Sequence, residues 1–104
     1  MEVKEITQEM INEWKTKYGE IYQIILGGQA YVYRPMKRIE YKQITANQDT
    51  NRAFSEEQIV QKCLIFPQLD STSLSAEKAG TVTTLTDLIM VASNFGVQEE
   101  PVKL

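Results

Sequence analysis

Apolar positions along this chain follow two periods, and the changes of period mark the elements. Met10, Ile11, Trp14 and Tyr18 stand at i, i+1, i+4 and i+8, one stripe of an amphipathic helix. Thr7 is placed to cap its start, Gln8 and Glu9 suit its first turn, and Gly19 supplies the stop, so a helix over Thr7 to Tyr18 is expected. Trp14 reads as its core anchor. The pattern then changes to β-branched and aromatic runs, Glu20 to Leu26 and Gln29 to Arg34, on either side of Gly27-Gly28. That is a hairpin whose two turn residues must tolerate positive φ. Tyr31, Val32 and Tyr33 alternate, so one face of the second strand carries both tyrosines.

Pro35 breaks the strand and suits the start of a helix from Met36 to Thr45 or Ala46. Met36, Glu40, Tyr41 and Ile44 share one side of it. Lys37, Arg38 and Lys42 lie around the rest, with Lys37 and Glu40 spaced for an intrahelical charge pair. Asn47 to Arg52 is polar and without period, hence a loop. Ser55-Glu56-Glu57-Gln58 has the capping-box pattern and opens a helix with the stripe Ile59, Val60, Cys63 and Leu64, ended by Pro67. The helix dipole accounts for the Glu56-Glu57 pair. Gln68 to Ser75 reads as an irregular connector, and Ser75 to Gly80 as one helical turn closed by Gly80. Thr81 to Asn94 is the last helix, its stripe Leu85, Leu88, Ile89 and Ala92 extended by Phe95 and stopped at Gly96. The expected fold is α+β: an N-terminal helix, one β-hairpin, then three helices packed on it. A lone hairpin is marginal in water, so the helices must cover it or a partner must extend it. The expected domain spans 1–96, with a polar tail over 97–104.

Composition narrows the chemistry. The 104 residues suffice for one domain. No apolar run approaches the ~20 residues of a membrane helix, and Met1 to Glu5 lacks the apolar core of a secretory leader. Eleven basic against fourteen acidic side chains give a net charge of −3, which disfavours non-specific nucleic-acid binding. The local basic concentration is Arg34, Lys37, Arg38 and Lys42. Residues 51–104 hold four basic and seven acidic side chains. Histidine is absent, which removes the usual base of Ser/His and Cys/His nucleophile pairs and the commonest zinc ligand. The single Cys63 lies on an apolar stripe and reads as a small core residue. An enzyme would need a carboxylate or Mg²⁺ site from residues such as Glu40, Asp49, Asp70 and Asp87, whose spacing gives no reason to converge. No cofactor or metal is expected.

Four pieces, in this order, resemble small bacteriophage proteins of the tail assembly chaperone type and related small virion proteins. They are Trp14-Lys15-Thr16-Lys17-Tyr18-Gly19 before the hairpin; Tyr31-Val32-Tyr33-Arg34-Pro35 with Met36-Lys37-Arg38-Ile39-Glu40-Tyr41; the helix ending Cys63-Leu64-Ile65-Phe66-Pro67; and Lys78-Ala79-Gly80, Leu85 to Ile89 and Ala92-Ser93-Asn94-Phe95-Gly96. The resemblance covers residues 14–96 and departs at Lys37, where the family pattern has a capping Thr or Ser, and at Asn94, where it has Gly. It implies a non-enzymatic assembly or structural protein that binds the tape-measure protein and is displaced by tail-tube subunits, or a relative that stays in the virion. It places the protein in the host bacterial cytoplasm or the particle. Partners would be other phage structural proteins or further copies in a homo-oligomer, with no nucleic acid and no membrane.

The contact surface expected for such a role is Arg34, Lys37, Arg38, Glu40 and Tyr41 with Phe95 and the tail, since Arg and Tyr are enriched among interface anchors. The competing reading keeps Arg34 and Glu40 as a fold-internal ion pair. A different class of function, a small phage-encoded inhibitor binding one host protein, is motivated by the acidic second half.

Overall fold

A computed structural model describes residues 6–46, 51–96 and 99–104. Met1 to Glu5, the expected loop at 47–50 with Asp49, and Val97 and Gln98 lie outside the described residues. The elements run α1 (Gln8–Tyr18), β1 (Tyr22–Leu26), β2 (Gln29–Tyr33), α2 (Arg38–Thr45), α3 (Arg52–Cys63), β3 (Leu64–Phe66), α4 (Ser71–Ala76) and α5 (Ala79–Ala92). The class is α+β, as expected. Two elements are additions to the expected order: a third strand, and a short helix in place of the connector.

Local chemistry explains the boundaries. Thr7 Oγ1 accepts the Met10 N–H at 3.2 Å, and Gly19 closes α1 at φ 83°. Gly27 and Gly28 sit at φ 58° and 80°, the two positive values that a tight two-residue hairpin turn requires. They set the register of β1 on β2, from Leu26 opposite Gln29 to Tyr22 opposite Tyr33. α3 begins earlier than the Ser55 motif suggests. Asn51 Oδ1 accepts the Phe54 N–H at 2.8 Å and is the cap, so Arg52 is helical and Ser55 lies inside the helix. Glu56 accordingly sits beyond the first turn. Its carboxylate accepts from the Thr83 hydroxyl at 2.9 Å and pairs with Arg52 at 3.4 Å, so it ties α3 to α5 rather than serving the dipole.

The stripe expected to continue through Leu64 instead leaves the helix there. Leu64, Ile65 and Phe66 form β3, antiparallel to β2, with Tyr33 opposite Leu64 and Val32 opposite Phe66. Ile65 is the extra residue of a bulge. β2 is therefore the central strand of the order β1-β2-β3, and Tyr31, Val32 and Tyr33 are all buried. Asp70 accepts from the Ser73 N–H at 2.8 Å and starts α4, whose Leu74 is buried. α5 takes in Ala79 and Gly80, so Gly80 begins a helix instead of closing one. Asn94, at φ 68°, ends it. Phe95 N–H donates to Met90 O at 3.0 Å and Asn94 N–H to Val91 O at 3.1 Å, the paired bonds of a Schellman closure. Asn tolerates the left-handed conformation well enough to stand in for Gly there.

The core lies between α3 and α5. Val60, Cys63, Leu85 and Ile89 are fully enclosed, with Tyr31, Tyr33, Met36, Ile44 and Leu74 around them. Cys63 is the small core residue expected; burial pushes its thiol up to about 11. α1 is different. None of its residues is buried, and Trp14 is half-exposed, its ring 5.8 Å from Phe66. The core-anchor expectation for Trp14 is thus corrected: it is a peripheral clasp on β3. Among the described residues no helix is long and apolar enough to cross a membrane.

Candidate functional site

The six residues expected to form a contact surface do come together, but they divide into two groups. Arg34 and Glu40 are the first. The end of β2 projects Arg34 toward the first turn of α2. Its Nη1 and Nη2 donate to Glu40 Oε1 and Oε2 at 2.9 and 2.7 Å, a bidentate pair. The same guanidinium donates to the Pro35 and Lys62 carbonyls, each at 3.0 Å, and lies 5.9 Å from the Tyr18 ring centre. The Arg34 N–H donates to Cys63 O at 3.0 Å. One side chain therefore gathers α1, β2, α2 and the end of α3. Both partners keep about 15 % or less of their side-chain surface (15 % and 13 %). Arg34 hydrogen bonding holds the Glu40 carboxyl down to about 2 despite its partial burial.

Glu40 also accepts the Lys37 N–H at 2.9 Å. This is the backward half of a capping box. It starts α2 although Lys37, having no acceptor in its side chain, cannot supply the forward half. The expected Lys37–Glu40 charge pair is replaced by this backbone bond and by the Arg34 pair. The Arg34–Glu40 pair is thus an ion pair within the fold, with part of each side chain still exposed.

Lys37, Arg38, Tyr41 and Phe95 are the second group. Together with Met36, Ser93 and Asn94 they line a groove of about 210 Å³ between the start of α2 and the end of α5. The Tyr41 and Phe95 rings meet at 5.1 Å, tilted by 51°, and the Arg38 guanidinium lies 5.3 Å from the Tyr41 ring centre. Lys37 and Arg38 are exposed, and neither has an acidic partner among the described residues. Ser93 holds the two walls together: its hydroxyl accepts the Met36 N–H at 2.7 Å and donates to Ile89 O at 2.6 Å. Met36, Ser93 and Asn94 were not singled out by the sequence as site residues. The Ser93-Asn94 closure pattern was visible, but the bond across 57 positions was not.

Elsewhere, the carboxylates considered for catalysis are dispersed. Asp70 caps α4, Glu40 is held by Arg34, and Asp87 lies on the exposed face of α5. Among the described residues no three metal-ligating side chains gather. Compared with protein families, curated proteins and solved structures, the chain matches none of them.

Proposed function

We propose that the protein is a non-enzymatic bacteriophage assembly protein that grips a polypeptide segment of a structural partner, the tape-measure or tail-tube protein, through the α2–α5 groove. One observation carries the reading. Two sequence pieces on which the resemblance rests, 31–41 and 92–96, are far apart in the chain, yet they build a single surface with two cations that have no acidic partner among the described residues, beside an aromatic pair. Such a surface suits a segment that offers an acidic side chain next to an apolar one. Exposed Arg and Tyr supply large contact area, and the charges orient the partner.

The test is co-expression with the tape-measure and tail-tube proteins of the same phage, followed by co-purification and light scattering. The expected result is a complex of defined mass that is lost in the double variant Lys37→Glu, Arg38→Glu while the far-ultraviolet circular dichroism stays unchanged. A chain that remains monomeric with both partners sinks the reading. Stoichiometric capture of one host protein would instead favour the inhibitor.

A further inference from the structure

A cleft of about 550 Å³ lies at the opposite end of α5 from the basic groove, roughly 20 Å away along the helix. Leu26 at the hairpin tip, Phe66 of β3 and Leu69 beyond it give it apolar walls, interrupted by Gln29 and Gln68. That size and lining are those of a ligand site. Tyr31 lines it, is 3 % exposed as a residue, lies near the Glu77 carboxylate and has no hydrogen-bond partner for its hydroxyl among the described residues. A buried hydroxyl left unpaired is uncommon, because desolvating it without a partner is unfavourable. Burial and the nearby Glu77 carboxylate both keep it protonated, hence a donor as well as an acceptor.

The rim is mixed in sign. Glu77 lines the cleft, and so does Lys78, which precedes α5. α5 itself starts with no side-chain cap and no acidic residue in its first turn. A carboxylate entering here gains Lys78 and the positive helix end but is opposed by Glu77, and for an ammonium the signs reverse, so the attraction on either charge is offset while the charge still gives up its water. A backbone amide carries no net charge and offers one donor and one acceptor, which suits both.

We propose that this cleft receives a bulky apolar side chain carried on a polypeptide segment of the partner protein, with the adjoining backbone amide hydrogen-bonded to the Tyr31 hydroxyl. The inference rests on the reading of the protein as one that grips a polypeptide, and adds a second point of grip.

The experiment is a nuclear magnetic resonance titration of the full chain with N-acetylphenylalaninamide, beside phenylacetate and phenethylammonium as charged analogues. The neutral amide should move the Leu26 and Leu69 methyl and Thr81 amide resonances saturably. Both charged compounds should bind several-fold more weakly. Tyr31→Phe should weaken the neutral probe about 2- to 10-fold, and Thr81→Trp, which fills the mouth, should block it. Absence of saturable shifts, equal binding of a charged analogue, or shifts indifferent to both variants overturns the proposal. Partner capture that survives Thr81→Trp undiminished overturns the cleft and spares the polypeptide-binding reading. Probe binding by a chain that captures neither phage partner overturns that reading itself.

Discussion

α1 and α5 read alike in the sequence, each with an apolar stripe at helical spacing and a stop signal at its end, yet they live in different surroundings. α5 buries Val82, Leu85, Thr86 and Ile89, whereas α1 buries nothing. α5 packs along α3, and its stripe belongs to one core cluster with Tyr31, Tyr33 and Ile44. α1 clasps the domain through Trp14 on Phe66 and through Tyr18 near Arg34. Periodicity tells which side of a helix turns inward. How deep that side goes depends on how many other elements converge on it, and this difference should be measurable.

The sharpest contrast should come from Leu85→Ala. Leu85 is fully enclosed, so the cavity should cost about 2–5 kcal/mol in a urea unfolding curve. The next effect is expected at the ion pair beside the end of α1. Glu40→Ala removes the Arg34 pair and the Lys37 cap together, and leaves a guanidinium near the end of α3 without its acid. About 2 kcal/mol is expected, less than for a deep ion pair because the site touches solvent.

Acid should report on the same pair. The Glu40 carboxyl sits at about 2 in the folded protein against an ordinary 4.5, so its contribution is fully present above 4.5 and is lost as pH falls toward 2. With allowance for screening, about 1–2 kcal/mol should disappear over that window. Unfolding curves of the Glu40→Ala protein should lack that portion of the loss; an unchanged acid dependence would show that the pair contributes nothing.

Trp14→Ala should be milder than Leu85→Ala, about 1–2 kcal/mol, since only part of the ring is covered. Should it match Leu85→Ala, the distinction between a core helix and a clasp fails. Thr7→Ala should be smallest, about 1 kcal/mol or less, and confined to faster amide exchange in the first turn of α1.

Much of the local structure was legible. The Thr7 cap, Gly19, the Gly27-Gly28 turn and the stripe of α5 each depend on contacts within a few residues, and each stands where it was expected. The misses share a cause. Leu64 to Phe66 continue an apolar run after a helix, and a run of that length suits either a last turn or a short strand. What decides is Tyr33 and Val32, some thirty positions earlier, offering an edge to pair with. Ser55 carried a good capping pattern, but Asn51 also caps well and lies three residues before another free N–H, so the earlier cap is used. At the candidate site, the grouping of Lys37, Arg38, Tyr41 and Phe95 was expected, while Ser93 as their tie was not. A serine near a helix end carries no mark of a distant backbone partner.

By itself the sequence determined the α+β class, the hairpin and its turn, three helix starts or stops and the enclosed position of Cys63, because glycine conformation, capping chemistry and apolar period act over a turn or two of chain. Only the tertiary structure decided that β2 is a central strand, that Arg34 pairs with Glu40 within the fold, that Trp14 is a clasp rather than a core anchor, and that Tyr31 lines a cleft with no hydrogen-bond partner for its hydroxyl among the described residues. Each of those depends on what a side chain meets across tens of residues, and burial depth and hydrogen-bond pairing at that range are properties of the packed whole.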